Sequence, residues 1–258
     1  LYKRYTRALY SLLPSLYRTK LRFESRVRRR LGLPTERDHR LFRCFAEASD
    51  AVFVDVGSNV GQTIDAVRMH GWNCTIHAFE PNPLLCERLG AEYRDDHRLT
   101  THCVALADQA GVLALTVPVY RGLPFHGNAS LDADCARRWM SRDNIFAFNP
   151  NYLRMETFQV EVTTLDAMDL APFFVKVDVE GGELKVLRGA RKTIDRARPL
   201  LMLEGAGQAG EEAFLADLGY RPFRFDGHAL RPGLAGGLNA FFLPEERVGD
   251  IPIAVKVQ

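Results

Sequence analysis

Two groups of residues in this 258-residue chain have the types and spacing for chemistry. The first is Asp55, Gly57, Asn59 and Gly61 in "VFVDVGSNVGQT", followed by Glu80 in "FEP". In an open α/β sheet, a β-branched run ending on an acidic residue and a glycine loop brings backbone N–H groups and a helix N-terminus to a ligand. Gly57 and Gly61 lack a Cβ and are expected to let that ligand lie against the backbone. Glu80, ending the next strand, is placed to accept two hydrogen bonds from a ribose diol. The second group is Lys176, Asp178 and Glu180 in "VKVDVEGGE", with Glu204 ending the following strand. Alternation sets Val175, Val177 and Val179 on one face and the three ionisable residues on the other. Asp178 and Glu204 then face each other across neighbouring strand tips. That pair could hold a hard divalent cation such as Mg²⁺, supply a general base, or form a structural ion pair with Lys176 or an arginine.

A glycine loop with a diol reader fits either a dinucleotide or S-adenosylmethionine. The dinucleotide pattern GxGxxG is not met, because residues 57–62 read GSNVGQ. Asn59 stands where the second glycine would let the backbone approach a pyrophosphate. The carboxylate and amine of a methionine moiety need less room, with Asp55 orienting the loop or attracting the amine. His126 and His228 are alternative bases, histidine being the side chain that titrates near neutrality.

These residues need a frame, and the pattern around them supplies one. Strands are expected at 52–56, 74–81 and 99–107, with helices after Gly61 (Ile64 and Val67 inward) and over 83–93. The alternation resumes with a strand at 173–183, a helix over 184–197, a strand at 199–206 and a helix over 210–219. Two strands close the chain, at 221–227 and 238–244. Apolar strands alternating with helices indicate a parallel sheet covered on both sides. Between the two halves lie strands at 111–119 and 158–166, enclosing an irregular span rich in His, Asn, Arg and aromatics. Substrate-facing loops are expected there.

Residues 1–40 carry twelve Lys or Arg against three acidic residues, leaving −7 to the rest of a chain whose net charge is +2. We read 1–40 as a basic, helical N-terminal arm and 41–258 as one domain. Tyr2, Tyr5, Leu9, Leu12, Leu13 and Leu16 recur at helical spacing. The arm is expected to pack this stripe on the domain with its basic residues in solvent. The other reading is peripheral contact with an anionic membrane. Five scattered cysteines without a CxxC pair argue against a disulfide framework or a zinc site. No apolar run reaches the length of a membrane span and no signal peptide is recognised, so a cytoplasmic chain is expected. The positive charge is not spread over the acidic strand ends and no NPPY-type motif occurs, so nucleic acid is not an expected partner.

"VFVDVGSNVGQT", "AFEPNP", "VALAD", "TTLD" and "VKVDVEGGELKVLRGA", in this order, resemble the FkbM family of S-adenosylmethionine-dependent methyltransferases. The resemblance implies a class I, Rossmann-like α/β fold: a seven-stranded, mostly parallel sheet with helices on both faces and an antiparallel last strand. It implies that Asp55, Gly57, Asn59 and Gly61 cradle the methionine end, that Glu80 holds the ribose, and that Val104 and Ala105 wall the adenine. Lys176, Asp178, Glu180 and Glu183 match the element beside the transferable methyl, and Asn128 and Ser130 of "GNASL" match a loop that reaches substrate or cofactor. Asp178 and Glu204 are the expected catalytic pair, with Lys176 and Glu180 beside them, acting as base or through Mg²⁺. The acceptor implied is a hydroxyl of a sugar, or of a glycolipid or polyketide-type product. A nicotinamide-dependent oxidoreductase on the same sheet and a non-catalytic cofactor-binding module are the rival readings.

Overall fold

The computed structural model describes residues 2–13, 27–28, 31–45, 51–205, 209–234 and 239–249. In chain order the strands are β1 (Val52–Val56), β2 (Thr75–Phe79), β3 (Leu99–His102), β4 (Ala105–Leu106), β5 (Gly111–Tyr120) and β6 (Leu123–Pro124). They continue as β7 (Leu153–Thr163), β8 (Phe174–Val177), β9 (Leu200–Glu204), β10 (Tyr220–Phe225), β11 (Leu230–Pro232) and β12 (Asn239–Pro244). The helices are α1 (Tyr2–Leu12), α2 (Gln62–Met69), α3 (Pro83–Glu92), α4 (Ala133–Trp139), α5 (Glu183–Gly189), α6 (Arg191–Ala197) and α7 (Ala209–Asp217). A 3₁₀ segment spans Asp38–Phe45.

Among the described residues, the main sheet has the order β11-β10-β12-β9-β8-β1-β2-β3. β1, β2, β3, β8 and β9 pair in parallel, while β12 runs antiparallel to both β9 and β10. This is the class I methyltransferase arrangement, with the short β11 adding an eighth strand at one edge. The two faces bury separate cores. Phe53, Phe174, Met202 and Phe241 meet Ile64 and Val67 of α2 and Phe42 of the 3₁₀ segment on one side. Val54, Val56, Val177 and Leu203 meet Val186 of α5, Ile194 of α6 and Leu215 of α7 on the other. A second sheet, β4-β7-β5-β6, is built mostly from the insertion between the halves.

Four expectations are corrected. The strand read over 99–107 breaks at Cys103, its halves entering different sheets: β3 pairs with β2, and β4 with β7. The helix read over 184–197 breaks at Ala190, where a Cβ on Gly189 would fall on the Ala107 carbonyl oxygen. Cys86 and Cys103 are joined in a disulfide between α3 and the residue after β3, against the reading of no disulfide framework. The N-terminal helix is turned the other way from the packed reading. Arg7 lies over the Trp139 ring at 4.6 Å and donates to the Asn144 carbonyl at 3.3 Å, while Tyr5, Leu9, Leu12 and Leu13 are exposed. Leu16 and the remainder of 14–26 lie outside the described residues. Among the described residues no helix is long and apolar enough to cross a membrane.

Candidate active site

The carboxyl ends of β1, β2, β8 and β9 and the edge of the second sheet enclose a cavity of about 750 Å³. One wall is the glycine loop. Gly57 and Ser58 both donate to the Phe79 carbonyl (2.9 and 3.1 Å), locking the exit of β1 to that of β2. Gly57 has φ 80° and Gly61 φ 84°, so both sit where a side chain is strained. Neither glycine leaves its missing Cβ to a ligand. At Gly57 a Cβ would strike the Asp178 carbonyl oxygen of the adjacent strand end, and at Gly61 it would strike the Tyr93 ring. Tyr93 also donates to the Gly61 carbonyl at 3.0 Å and to Asp65 at 2.7 Å. The sequence reading that both glycines make room for a ligand is therefore corrected. Gly57 lines the cavity, whereas Gly61 is packed behind the loop.

Glu80 is 6% exposed, and its two oxygens accept the Asn59 N–H (2.7 Å) and the Asn82 N–H (2.8 Å). Burial pushes its carboxyl up to about 7, with those two hydrogen bonds acting against the rise. Each oxygen keeps a lone pair for a hydroxyl donor. Asn82 caps α3: its Oδ1 accepts the Leu84 N–H at 3.1 Å, with Pro83 at the first helical position. That fixes the amide so that Nδ2 faces His126 Nδ1 at 3.3 Å. Nδ1 must then accept, and the ring proton sits on Nε2. Val104, Ala105, Leu106 and Phe79 form an apolar flank suited to a flat heterocycle.

The acidic strand tips make the floor. Lys176 pairs with Asp55 across the β1–β8 register, at 3.6 Å, and with Asp178 at 3.0 Å. It also donates to the Gly57 carbonyl at 3.4 Å. Burial would lower the Lys176 ammonium, but the two carboxylates outweigh it and the pKa ends well above normal. Asp55 is fully buried with no hydrogen bond to either carboxylate oxygen, and desolvation raises its pKa against the pull of Lys176. The nearer carboxylate, Asp178, has the better claim on the one ammonium. Burial alone would raise Asp178, but Lys176 and a hydrogen bond from Glu204 bring it below the normal range. Glu204 is driven the other way, first by burial and then by that same contact with Asp178. Glu180 has a left-handed backbone (φ 54°), and burial followed by the Asp178 charge pushes its carboxyl up to about 7.

The expected site residues thus divide into two sets. Gly57, Asn59, Glu80, Val104, Ala105, Asp178, Glu180 and Glu204 line the cavity, while Asp55, Gly61 and Lys176 lie beneath it as support. Glu183 accepts from the Gly181 N–H at 3.1 Å and shapes the loop. Ser130 lines the cavity but donates its hydroxyl to the Glu180 carbonyl at 2.8 Å; Asn128 and His228 are not on the wall. A Mg²⁺ site at Asp178 and Glu204 does not fit this donor set. An ammonium already holds one carboxylate, and among the described residues no cluster of three or more His, Cys, Asp or Glu could hold a metal.

One lining residue comes from an unexpected quarter. Glu36, in the stretch read as part of the basic N-terminal arm, reaches the cavity because Asn239, opposite Glu204 in the β9–β12 register, donates to both Glu36 (3.3 Å) and Asp38 (3.0 Å). Burial raises the Glu36 carboxyl, Lys176 opposing. His39 stands 3.6 Å from Glu36, and burial followed by the Lys176 charge lowers it to about 3, so it is neutral. No sequence motif marks Glu36. Asn82 does stand inside "AFEPNP", and its N-cap position ahead of Pro83 was the available signal.

The Methyltransferase FkbM domain model matches residues 55–222. The chain belongs to the FkbM methyltransferase family. A comparison with curated protein sequences gives no match. Among solved structures, a methyltransferase FkbM from Methylobacillus flagellatus KT is 17% identical, with TM-score 0.47, and the alignment covers 76% of this chain and 44% of that one. A TehB-like SAM-dependent methyltransferase from Corynebacterium glutamicum is 13% identical over 90% of this chain and 100% of that one, with TM-score 0.43. Aeropyrum pernix fibrillarin, solved with natively bound S-adenosyl-L-methionine, is 13% identical over 75% of this chain and 66% of that one, with TM-score 0.38. This FkbM chain spans less than half the length of the Methylobacillus protein. Family membership goes against the nicotinamide oxidoreductase reading.

Proposed function

We propose that this FkbM chain is an S-adenosylmethionine-dependent O-methyltransferase acting on a hydroxyl of a sugar, or of a glycolipid or polyketide-type product. The observation that carries the reading is the charge of the cavity. Among the described residues, seven carboxyl side chains line it (among them Glu36, Glu80, Asp178 and Glu204) against a single ammonium, Lys185. Several of these carboxyls are driven upward by burial and Asp178 is paired with Lys176, so the wall offers chiefly hydrogen-bonding oxygens with a negative bias; that suits the hydroxyls and the cationic centre of a sulfonium nucleoside better than a pyrophosphate. S-adenosylmethionine, when bound, supplies a methyl on a cationic sulfonium. Glu80 would accept its ribose diol, the Val104–Leu106 flank would cover its adenine, and Asp178 and Glu180 would face its positive charges.

The acceptor end is then the Glu36, Asp178 and Glu204 side of the cavity. Asp178 is the base: Lys176 keeps it ionised at neutral pH, at some loss of basicity. Its carboxylate takes the hydroxyl proton as the acceptor oxygen attacks, and Glu204, already protonated, holds Asp178 in place by donating to it. Glu36 offers a further acceptor for a neighbouring hydroxyl.

Calorimetric titration with S-adenosylmethionine and with NAD⁺, followed by methyl transfer to a panel of sugar hydroxyls, tests the reading. Binding of S-adenosylmethionine alone is the expected result. Asp178→Asn should slow transfer by about 10²–10⁴-fold, the usual worth of a positioned base. Glu204→Gln, which can still donate to Asp178, should lose far less. Normal turnover in Asp178→Asn, or tighter binding of NAD⁺, would sink the proposal.

A further inference from the structure

α1 presents its apolar stripe to solvent. Tyr5, Leu9, Leu12 and Leu13 are 46%, 53%, 59% and 48% exposed, at helical spacing along one side. The opposite side is anchored. Arg7 stacks on Trp139, the Phe146 N–H donates to the Arg4 carbonyl at 3.2 Å, and Ala8 packs against the Tyr120, Met140, Ile145 and Phe148 cluster. Tyr5 and Phe146 pack with tilted rings, centroids 4.4 Å apart, so the 45% exposed Phe146 extends the apolar face. The helix therefore spends its polar side on the domain and offers its leucines outward. The sequence that follows, residues 14–30, carries seven Lys or Arg against the single acid Glu24.

We propose that the outward face of α1 is a docking surface for an anionic lipid bilayer, the basic sequence that follows supplying charge of the complementary sign. The leucine face enters the boundary between headgroups and acyl chains, and the cations meet the lipid charge. The charge distribution favours this occupant over a second copy. Two copies joined through α1 would bring together two segments, each with twelve basic and three acidic residues in its first forty, which repel one another. An anionic surface turns the same charge into attraction. The proposal is independent of the methyl-transfer reading.

The test is flotation of the full 258-residue chain with phosphatidylcholine vesicles and with vesicles that also contain phosphatidylserine. The chain should float with the anionic vesicles only, and added salt should weaken the binding. Leu9→Asp with Leu12→Asp, both at exposed positions, should reduce the bound fraction by about tenfold or more, because the apolar contact is gone. The melting temperature should stay unchanged. Arg28→Gln, Arg29→Gln and Arg30→Gln together should abolish the preference for anionic lipid. Failure of the parent chain to float, or undiminished binding by either variant, overturns the proposal. So does a dimer in light scattering that the leucine variant converts to monomer, which would assign the face to a second copy.

Discussion

At the scale of single residues, the same side-chain absence carries different meanings at two glycines of one loop. Gly57 borders the cavity, but its missing Cβ is demanded by the Asp178 carbonyl; Gly61 is demanded by Tyr93. Gly61→Ala should therefore cost about 2–3 kcal/mol in denaturant unfolding, part from positive φ and part from the clash. Adding Tyr93→Ala should return part of that cost relative to Tyr93→Ala alone, an outcome that a ligand-clearing role for Gly61 does not produce. Glu80 supplies a pH signature. Its folded pKa of about 7 lies above the ordinary value of 4.5, so between those limits the folded chain binds a proton that the unfolded chain has released. Its contribution to stability is accordingly full below pH 4.5 and lost as pH rises to about 7. Glu80→Gln should flatten the fall in unfolding free energy over that window, by at most about 1.4 kcal/mol per pH unit. A slope unchanged from the parent would place the buried proton elsewhere.

At the scale of elements, the cavity depends on how strand exits are tied to one another. β1 is locked to β2 through the Phe79 carbonyl, to β8 through Lys176, and the β8 exit is held to the insertion by Ser130. Asp166 of "TTLD" is a structural member of this set. Its carboxylate accepts the Lys192 and Thr193 N–H groups (3.1 and 2.7 Å) and caps α6. The disulfide acts at the same level, because Cys103 immediately precedes the Val104–Leu106 flank and Cys86 lies on the helix that Asn82 caps. It closes a loop of sequence separation 17. Cys103→Ser should lower stability by about 2–3 kcal/mol on the loop-entropy account. Urea unfolding of the parent with and without reductant gives the same comparison, and coincident curves would show that the bridge contributes nothing.

At the scale of the whole molecule, the stretch ahead of β1 is part of the core. Phe42 is fully buried, with ring centroids 5.5–6.0 Å from Phe53, Trp72 and Phe174, and its carbonyl accepts the Trp72 indole N–H at 2.5 Å. Three residues earlier, His39 faces Glu36, so one short segment both seals the aromatic core and delivers a carboxyl to the cavity. Phe42→Ala should cost about 3–5 kcal/mol, as large buried aromatics do. Thermal unfolding checks it, and a loss below about 1 kcal/mol would mean that the segment merely rests on the domain.

The sequence by itself determined the alternation of strands and helices, the acidic strand ends at Glu80, Asp178 and Glu204, and the family. Each of these is written in local periodicity or in a contiguous motif, and neither depends on partners far along the chain. Only the tertiary structure decided what occupies the space beside Gly61, that Lys176 supports Asp178 from beneath, and that Glu36 belongs to the cavity. It also decided that Asp178 is held low while Glu204 is driven high, and that α1 turns its leucines outward. Those outcomes depend on which group lies closest to which charge or ring after the sheet closes; Lys176 meets Gly57, and Asn239 meets Glu36, across more than a hundred positions of chain. The α1 stripe makes the distinction plain. Helical spacing identifies an apolar face, but Trp139 and Asn144 of the insertion determine which side of the helix is held.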